Sequence, residues 1–274
     1  MINNYEKKLA GKVIAVTGAT GVLGYAFNKA LARAGATVAI IGRNKTSASE
    51  RAAEILAEGG SAIALVADVM EQAQLVRAKD LLVDTYGKID GLVNAAGGNI
   101  PEAVVQTGTD IFDLNMDALR KVFDLNLFGT LLPTQVFGKA IMETAGSGSI
   151  VNISSVSAHQ ALTRVLGYSM AKSAIEGYTK WFAVELGNRY HDSIRMNALV
   201  PGFFLTEQNR ALLTNEDGSY TQRGNAVIEH TPFKRFGRPE ELTGALVWLL
   251  SDESVFVNGT SVVLDGGFLA SSGV

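Results

Sequence analysis

The chain has 274 residues, 47% hydrophobic and 19% charged, with a formal net charge of −3 and no cysteine. This is ordinary globular usage and excludes disorder. The basic residues are scattered, which argues against nucleic acid as a partner, and the missing thiol removes disulfides, thiolate catalysis and Cys-built metal sites together.

His159, His191 and His230 stand far apart without HExxH-like spacing, so no histidine metal site is expected. The amino terminus, MINNYEKKLAGK, has no apolar segment behind its basic residues, and no stretch reaches about 18 uninterrupted apolar residues. A cytoplasmic protein with no membrane partner is expected. At this length about 75% of the unfolded surface can be buried, and no linker rich in Pro, Ser or charge divides the chain. One domain over 1–274 follows.

Short apolar, β-branched runs recur in chain order: VIAVT at 13–17, TVAIIG at 37–42, AIALVA at 62–67, GLVNAA at 91–96, SIVNIS at 149–154, IRMNALV at 194–200 and TSVVLD at 260–265. Longer stretches with helical periodicity separate them. Continuous apolar character without in/out alternation predicts strands buried on both faces, and the alternation with helices predicts βαβ units. The fold class is therefore α/β, a doubly wound sheet of seven parallel strands.

The run Thr17-Gly18-Ala19-Thr20-Gly21-Val22-Leu23-Gly24 follows the first strand and opens a helix that ends at Gly35. Glycines 18, 21 and 24 let the backbone turn tightly and approach a pyrophosphate, while the helix start offers free N–H groups. This is a Rossmann-like dinucleotide signature, against the plainer reading of a strand-to-helix turn. The second strand ends at Gly42-Arg43, where an NAD enzyme normally has an acid for the ribose 2′-hydroxyl. The missing acid and the guanidinium favour NADP(H); stacking of Arg43 on adenine would leave NAD(H) possible. Asp68, before Val69 at the end of the third strand, either accepts from the adenine amino group or caps the next helix.

Further along come NAAG at 94–97, LNLFG around Asn126, ISS at 153–155, and Tyr168 with Lys172 in GYSMAK. Positions four apart share a helix face. The ammonium can then lower a phenol of ordinary pKa ~10 toward working pH. Alone, YxxxK fits a solvated helix face equally well. Its company of TGATGVLG, NAAG and ISS, in that order, argues for a proton-transfer device. Ser154 competes with Ser155, and the spacing to Tyr168 favours Ser155.

Over essentially the whole chain these motifs resemble the short-chain dehydrogenase/reductase family. The resemblance implies a catalytic set of Asn126, Ser155, Tyr168 and Lys172. Tyr168 would exchange a proton with the substrate oxygen, Ser155 would orient that oxygen, Lys172 would hold the nicotinamide ribose, and Asn126 would keep a water behind Lys172. It implies cofactor contacts from Gly18, Thr20, Gly21, Val22, Leu23, Gly24, Arg43, Asp68, Val69, Asn94, Ala95, Ala96, Gly97, Tyr168 and Lys172. Pro201, Gly202, Phe204 and Thr206 of PGFFLT would line the nicotinamide side. One departure stands out: the family commonly has a glycine where Val22 stands, whereas here Gly21 precedes it.

The segment 203–235 is polar and breaks the strand–helix rhythm, as substrate loops and lids do. Candidate substrate groups are Asn99, Ser157, His159, Gln160, Arg164, Gln208, Asn209 and Arg210, with His230 beyond; each also fits a solvated loop position. Such groups suit a hydroxylated small molecule with a carboxylate, since Arg grips carboxylates bidentately. LNLFGTLLPTQVF, PGFFLTEQNRALLTNEDGS, HTPFKRFGRPEEL and the terminal SGV resemble the D-mannonate oxidoreductase (fructuronate reductase) branch of the family. That implies reduction of D-fructuronate to D-mannonate. Gluconate 5-dehydrogenase, acyl-carrier-protein ketoreductase and a non-catalytic dinucleotide-binding regulator are the competing readings. The resemblance also implies a homotetramer. LTGALVWLLSD at 242–252 and VVLDGGF at 262–268 fit such an interface and fit an internal core equally well.

Overall fold

A computed structural model describes residues 7–106, 108 and 110–272, with Glu207 and Gln208 as backbone only. The amino-terminal expectation for residues 1–6, the last two residues of SGV and the side chain of Gln208 lie outside the described residues. The predicted apolar runs form β1 (Val13–Thr17), β2 (Thr37–Gly42), β3 (Ser61–Val66), β4 (Gly91–Asn94), β5 (Gly148–Ile153), β6 (Ile194–Pro201) and β7 (Ser261–Leu264). Every residue of β1, β4 and β6 is buried, as runs without alternation require.

All seven strands are parallel, in the order β3-β2-β1-β4-β5-β6-β7. The intervening helices are α1 (Val22–Arg33), α2 (Lys45–Ala57), α3 (Gln72–Tyr86), α4 (Met116–Thr144) and α5 (Leu166–Tyr190). Phe27 and Leu31 of α1 and Ile55 of α2 pack one sheet face; Leu75 and Leu82 of α3, Phe137 of α4 and Leu186 of α5 pack the other. The winding direction reverses between β1 and β4, and ligands in such sheets bind outside the carboxyl ends of the strands at that reversal. The glycine turn follows β1 and NAAG follows β4, so both border this crevice.

After β6 the excursion forms α6 (Glu207–Leu213) and α7 (Gln222–His230). Single bridges pair Phe204 with Gly237 and Thr214 with Tyr220. Leu213, Val227 and Phe236 give it a small core of its own. The segment expected as a loop or short-helix excursion is thus a packed helical pair attached at its base. In α8 (Thr243–Leu250), Leu246, Val247, Leu249 and Leu250 are buried in the main core, so this apolar run serves the interior. Among the described residues no helix is long and apolar enough to cross a membrane.

Candidate active site

At the end of β1, Gly18 has φ +63°, a left-handed value that suits glycine, and a Cβ there would lie 2.5 Å from Ala95 O. A Cβ at Gly24 would lie 2.3 Å from Gly18 O, so the start of α1 presses directly on the turn. Gly21 is the N-cap of α1, with no side-chain cap and no acid in the first turn. The shift of glycine from position 22 to 21 therefore places it at the cap, and Val22 becomes the first helical residue. Uncapped N–H groups and a cradle that a Cβ would fill suit a pyrophosphate. Thr17 Oγ1 accepts from Ala95 N at 3.2 Å and Ala96 N at 3.3 Å, tying NAAG to this turn.

Thr20 packs against Gly42, and Leu23 packs on the core beside α1. Arg43 is exposed beyond β2, with its Nη1 4.0 Å from Asp68 Oδ2. Asp68 Oδ1 accepts from Met70 N at 2.9 Å, whereas the N-cap of α3 is Glu71, so Asp68 closes a turn and does not cap the helix. Val69 packs near Gly129 of α4. Asn94 is buried and donates to Thr134 and Asn152 inside the sheet layer, each at 2.9 Å.

Ser155 follows β5, and Tyr168 lies in the first turn of α5, partly buried against Ala118, Leu119 and Val122 of α4. The Ser155 hydroxyl acts on the Tyr168 phenol, drawing its pKa downward. Ser154 instead is buried with no partner for its Oγ among the described residues, so the structure brings Ser155 to Tyr168. Lys172, one turn along α5, is 5% exposed and donates to Ile153 O at 2.7 Å, with Nζ 5.5 Å from the Tyr168 ring centre. Asn126 is fully buried: Nδ2 donates to Gly98 O and Val122 O, each at 2.7 Å, and Oδ1 accepts from Gly98 N at 3.0 Å. One donor and the acceptor hold Gly98 and the other donor returns to Val122 of its own helix, so the side chain ties the turn after NAAG to α4.

The electrostatics differ from the sequence expectation. Desolvation holds the Tyr168 phenol above its ordinary value, and the Ser155 hydrogen bond only partly opposes this. Burial likewise pulls Lys172 down to about 8, while the charge of Glu176 raises it. The expected lowering of the phenol by Lys172 is not found: the ammonium is turned onto Ile153 O, and the group that lowers Tyr168 is Ser155. Glu176 is buried one turn beyond Lys172, beside Ser261 Oγ and 3.5 Å from His159 Nε2. Extending the four-residue period from Tyr168 and Lys172 would have found it.

The substrate candidates separate. Asn99 lies just beyond the NAAG turn, and its buried Nδ2 has no partner among the described residues. Arg164 donates to Val105 O and Gln106 Oε1, each at 2.9 Å. Arg210 is exposed on α6. Asn209 does not offer a free amide: Oδ1 accepts from Thr206 N and Nδ2 donates to Phe204 O, each at 2.8 Å, which fastens the start of α6. Ser157, His159 and Gln160 line an open depression with Met170 and Ser173, whose lining excludes Ser155, Tyr168 and Lys172. The cause is helical: residues 170 and 173 point about 140–200° around α5 from 168, off the catalytic face. His230 stacks edge-on against Phe268 at 4.7 Å. Pro201 and Gly202 continue β6, where a Gly202 Cβ would strike Asp265, and Phe204 is buried over Gly237.

Comparison with known proteins agrees with this geometry. The family described as Enoyl-(Acyl carrier protein) reductase matches residues 18–269. An uncharacterised oxidoreductase of Bacillus subtilis, UxuB, is 44% identical, covering 98% of this chain and 99% of that one. The crystal structure of a candidate D-mannonate oxidoreductase from Haemophilus influenza with bound NAD superposes with TM-score 0.90 at 39% identity, covering 99% of each chain. A gluconate 5-dehydrogenase from Burkholderia cenocepacia, in complex with NADP and tartrate, superposes with TM-score 0.85 at 32% identity over 97% of this chain and 98% of that one. The chain belongs to the short-chain dehydrogenase/reductase family. It is an NAD(P)-dependent oxidoreductase acting on CH–OH groups.

The buried lysine has a measurable signature. Its pKa in the folded state is about 8, against an ordinary value of 10.5. Between these values the unfolded chain binds more protons, so this group makes stability rise with pH across that window and imposes its full cost below pH 8. Chemical denaturation of Lys172→Met and wild type across that range should show the variant's relative stability falling as pH rises. A difference independent of pH would contradict a desolvated Lys172.

Proposed function

We propose that the protein interconverts the keto and hydroxyl forms of a sugar acid, D-fructuronate and D-mannonate. The observation that carries this is the convergence of the Ser155–Tyr168 hydroxyl pair and the buried Lys172 at the end of β5, beside the glycine turn. A bound nicotinamide cofactor supplies or accepts the hydride. Ser155 orients the carbonyl oxygen, and Tyr168 gives its proton to that oxygen; in the reverse direction Tyr168 is the base. Lys172 stabilises the phenolate left behind and is placed to hold the nicotinamide ribose. Asn126 serves by fixing the Gly97–Gly98 turn next to the Lys172 ammonium. The raised Tyr168 pKa keeps the proton available at neutral pH, as a donor in the reducing direction needs.

The sugar-acid reading is supported by likeness to the candidate D-mannonate oxidoreductase and to the gluconate 5-dehydrogenase, whose structure contains tartrate. The second of these keeps gluconate-type substrates as the alternative. Asn99 and the excursion over 203–235 form the substrate side in this reading, with the excursion as its lid. NADP(H) is the favoured cofactor because Arg43 stands where an NAD enzyme has an acid. Exposed apolar side chains on α4 and α5 (Phe128, Met170, Trp181, Val184) and beside β7 (Phe256, Val263) support a homotetramer built on those two surfaces.

Assay of the wild type with uronates, ketogluconates and neutral ketoses, each with NADH and NADPH, tests the substrate class; turnover confined to neutral ketoses overturns it. Tyr168→Phe should bind cofactor normally and lose turnover by about a hundredfold or more, since proton transfer is worth 10²–10⁴. Near-normal activity would remove Tyr168 as the acid. Arg43→Ala should raise KM for NADPH roughly 10- to 150-fold, the worth of a charge-assisted contact, and leave NADH little changed. Equal effects on both cofactors would refute the 2′-phosphate role.

A further inference from the structure

A second basic site stands where three segments meet: the loop after β4, the loop before α5, and α7 of the excursion. Arg164 is its hinge. Its backbone lies in the left-handed region at φ +74°, where a non-glycine residue is strained by about 1 kcal/mol, and such strain concentrates at functional sites. Arg164 and Val105 bond in both directions: Val105 N donates to Arg164 O, and Arg164 Nε donates to Val105 O, each at 2.9 Å. From the opposite side, Arg223 of α7 donates to Thr163 Oγ1 and Thr163 O, each at 3.1 Å. The Arg223 guanidinium is thereby held on Thr163 and that of Arg164 on Val105 and Gln106, so the two flank the Thr163–Arg164 backbone, five and four positions ahead of Tyr168.

Val105 O, Gln106 Oε1, Thr163 Oγ1 and Thr163 O are all neutral acceptors, and among the described side chains neither guanidinium forms an ion pair with a carboxylate. Burial and the like charge of Arg164 both press the Arg223 pKa downward. Holding two cations together without an anion costs free energy that a bidentate carboxylate would return. The arrangement differs from Arg235 and Arg238, which share Glu241 and form a self-satisfied surface network.

We infer that Arg223 and Arg164 together bind the carboxylate of the substrate, and that Arg223 is the residue selecting sugar acids over neutral sugars. This rests on the sugar-acid reading and deepens it by naming the group that reads the acid. Tyr168 and Ser155 engage the keto end, while the arginine pair at the mouth engages the far end of the same carbon chain. Because Arg223 belongs to the excursion and Arg164 to the loop leading into α5, an anion between them would also fasten α7 against the catalytic helix. Nothing local marks Arg223, since TQRG reads as an ordinary polar turn.

The test is calorimetric binding of D-gluconate and tartrate to NADPH-loaded wild type, Arg223→Gln and Arg223→Lys, with sorbitol as the neutral control. The expected result is carboxylate affinity weakened roughly 10- to 150-fold in Arg223→Gln and less in Arg223→Lys, which keeps the charge but not the fork, with sorbitol unchanged in both. Three results overturn the inference: wild type that binds neither carboxylate, Arg223→Gln that binds them normally, or equal losses for carboxylates and sorbitol. The last would make the pair a mechanical clasp, and a matching fall in Tm would accompany it. Turnover of D-fructuronate is measured separately. Carboxylate binding that depends on Arg223 without D-fructuronate turnover defeats the named substrate and leaves the arginine site standing.

Discussion

Carrying an ammonium group out of water and into the end of a parallel sheet is the constraint around which this site is organised. Lys172 is buried, and desolvation disfavours its charged form unless neighbours restore what water supplied. Ile153 O does so directly, and Glu176 does so by charge one turn further along the helix. The carbonyl is available because β5 ends at Ile153, and the helix face is available because α5 packs closely on α4, where a Cβ at Gly167 would lie 3.0 Å from Leu119. Ser261, at the start of β7, holds the outer oxygen of Glu176. The edge strand thus supports the charge balance of a site at the centre of the sheet.

The same burial acts on Tyr168 in the opposite sense, raising its pKa where it lowers that of Lys172. Each group is pushed toward its neutral form. In the proposed reduction this is useful: the phenol keeps its proton until a substrate oxygen accepts it, and Lys172, with a pKa of about 8, remains mostly charged at neutral pH to receive the phenolate. In the proposed reading the excursion adds the substrate side. Its two ends are joined by the Phe204–Gly237 bridge, and α7 is tied to the loop before α5 through Arg223 on Thr163, all outside the sheet.

Much of this was legible in the residues. Uninterrupted β-branched runs gave all seven strands, with ends misplaced by no more than two residues, because burial on both faces leaves no alternation to misread. The glycine turn and the Tyr168–Lys172 pair were legible because a helix period and a left-handed turn are local constraints. The sign of the Tyr168 shift was not, since desolvation depends on what packs around the ring, which no local pattern encodes. Asn209 looked like a ligand and proved to be a cap, as amides near helix starts often are. Ser157 and His159 looked close to the site in sequence, but after the tight turn at Ser155 they line an open depression that holds none of Ser155, Tyr168 and Lys172. Arg223 was invisible for the complementary reason: its significance comes from a segment 60 residues away.

The most direct measurement is an ultraviolet difference titration of tyrosine ionisation in wild type against Tyr168→Phe, with and without oxidised cofactor. Without cofactor the Tyr168 phenol is expected to ionise above the ordinary tyrosine range, and Ser155→Ala to raise it further by removing the group that opposes desolvation. A phenol that ionises in the ordinary range without cofactor, or one indifferent to the loss of the Ser155 hydroxyl, would contradict a buried proton donor coupled to Ser155 at this position.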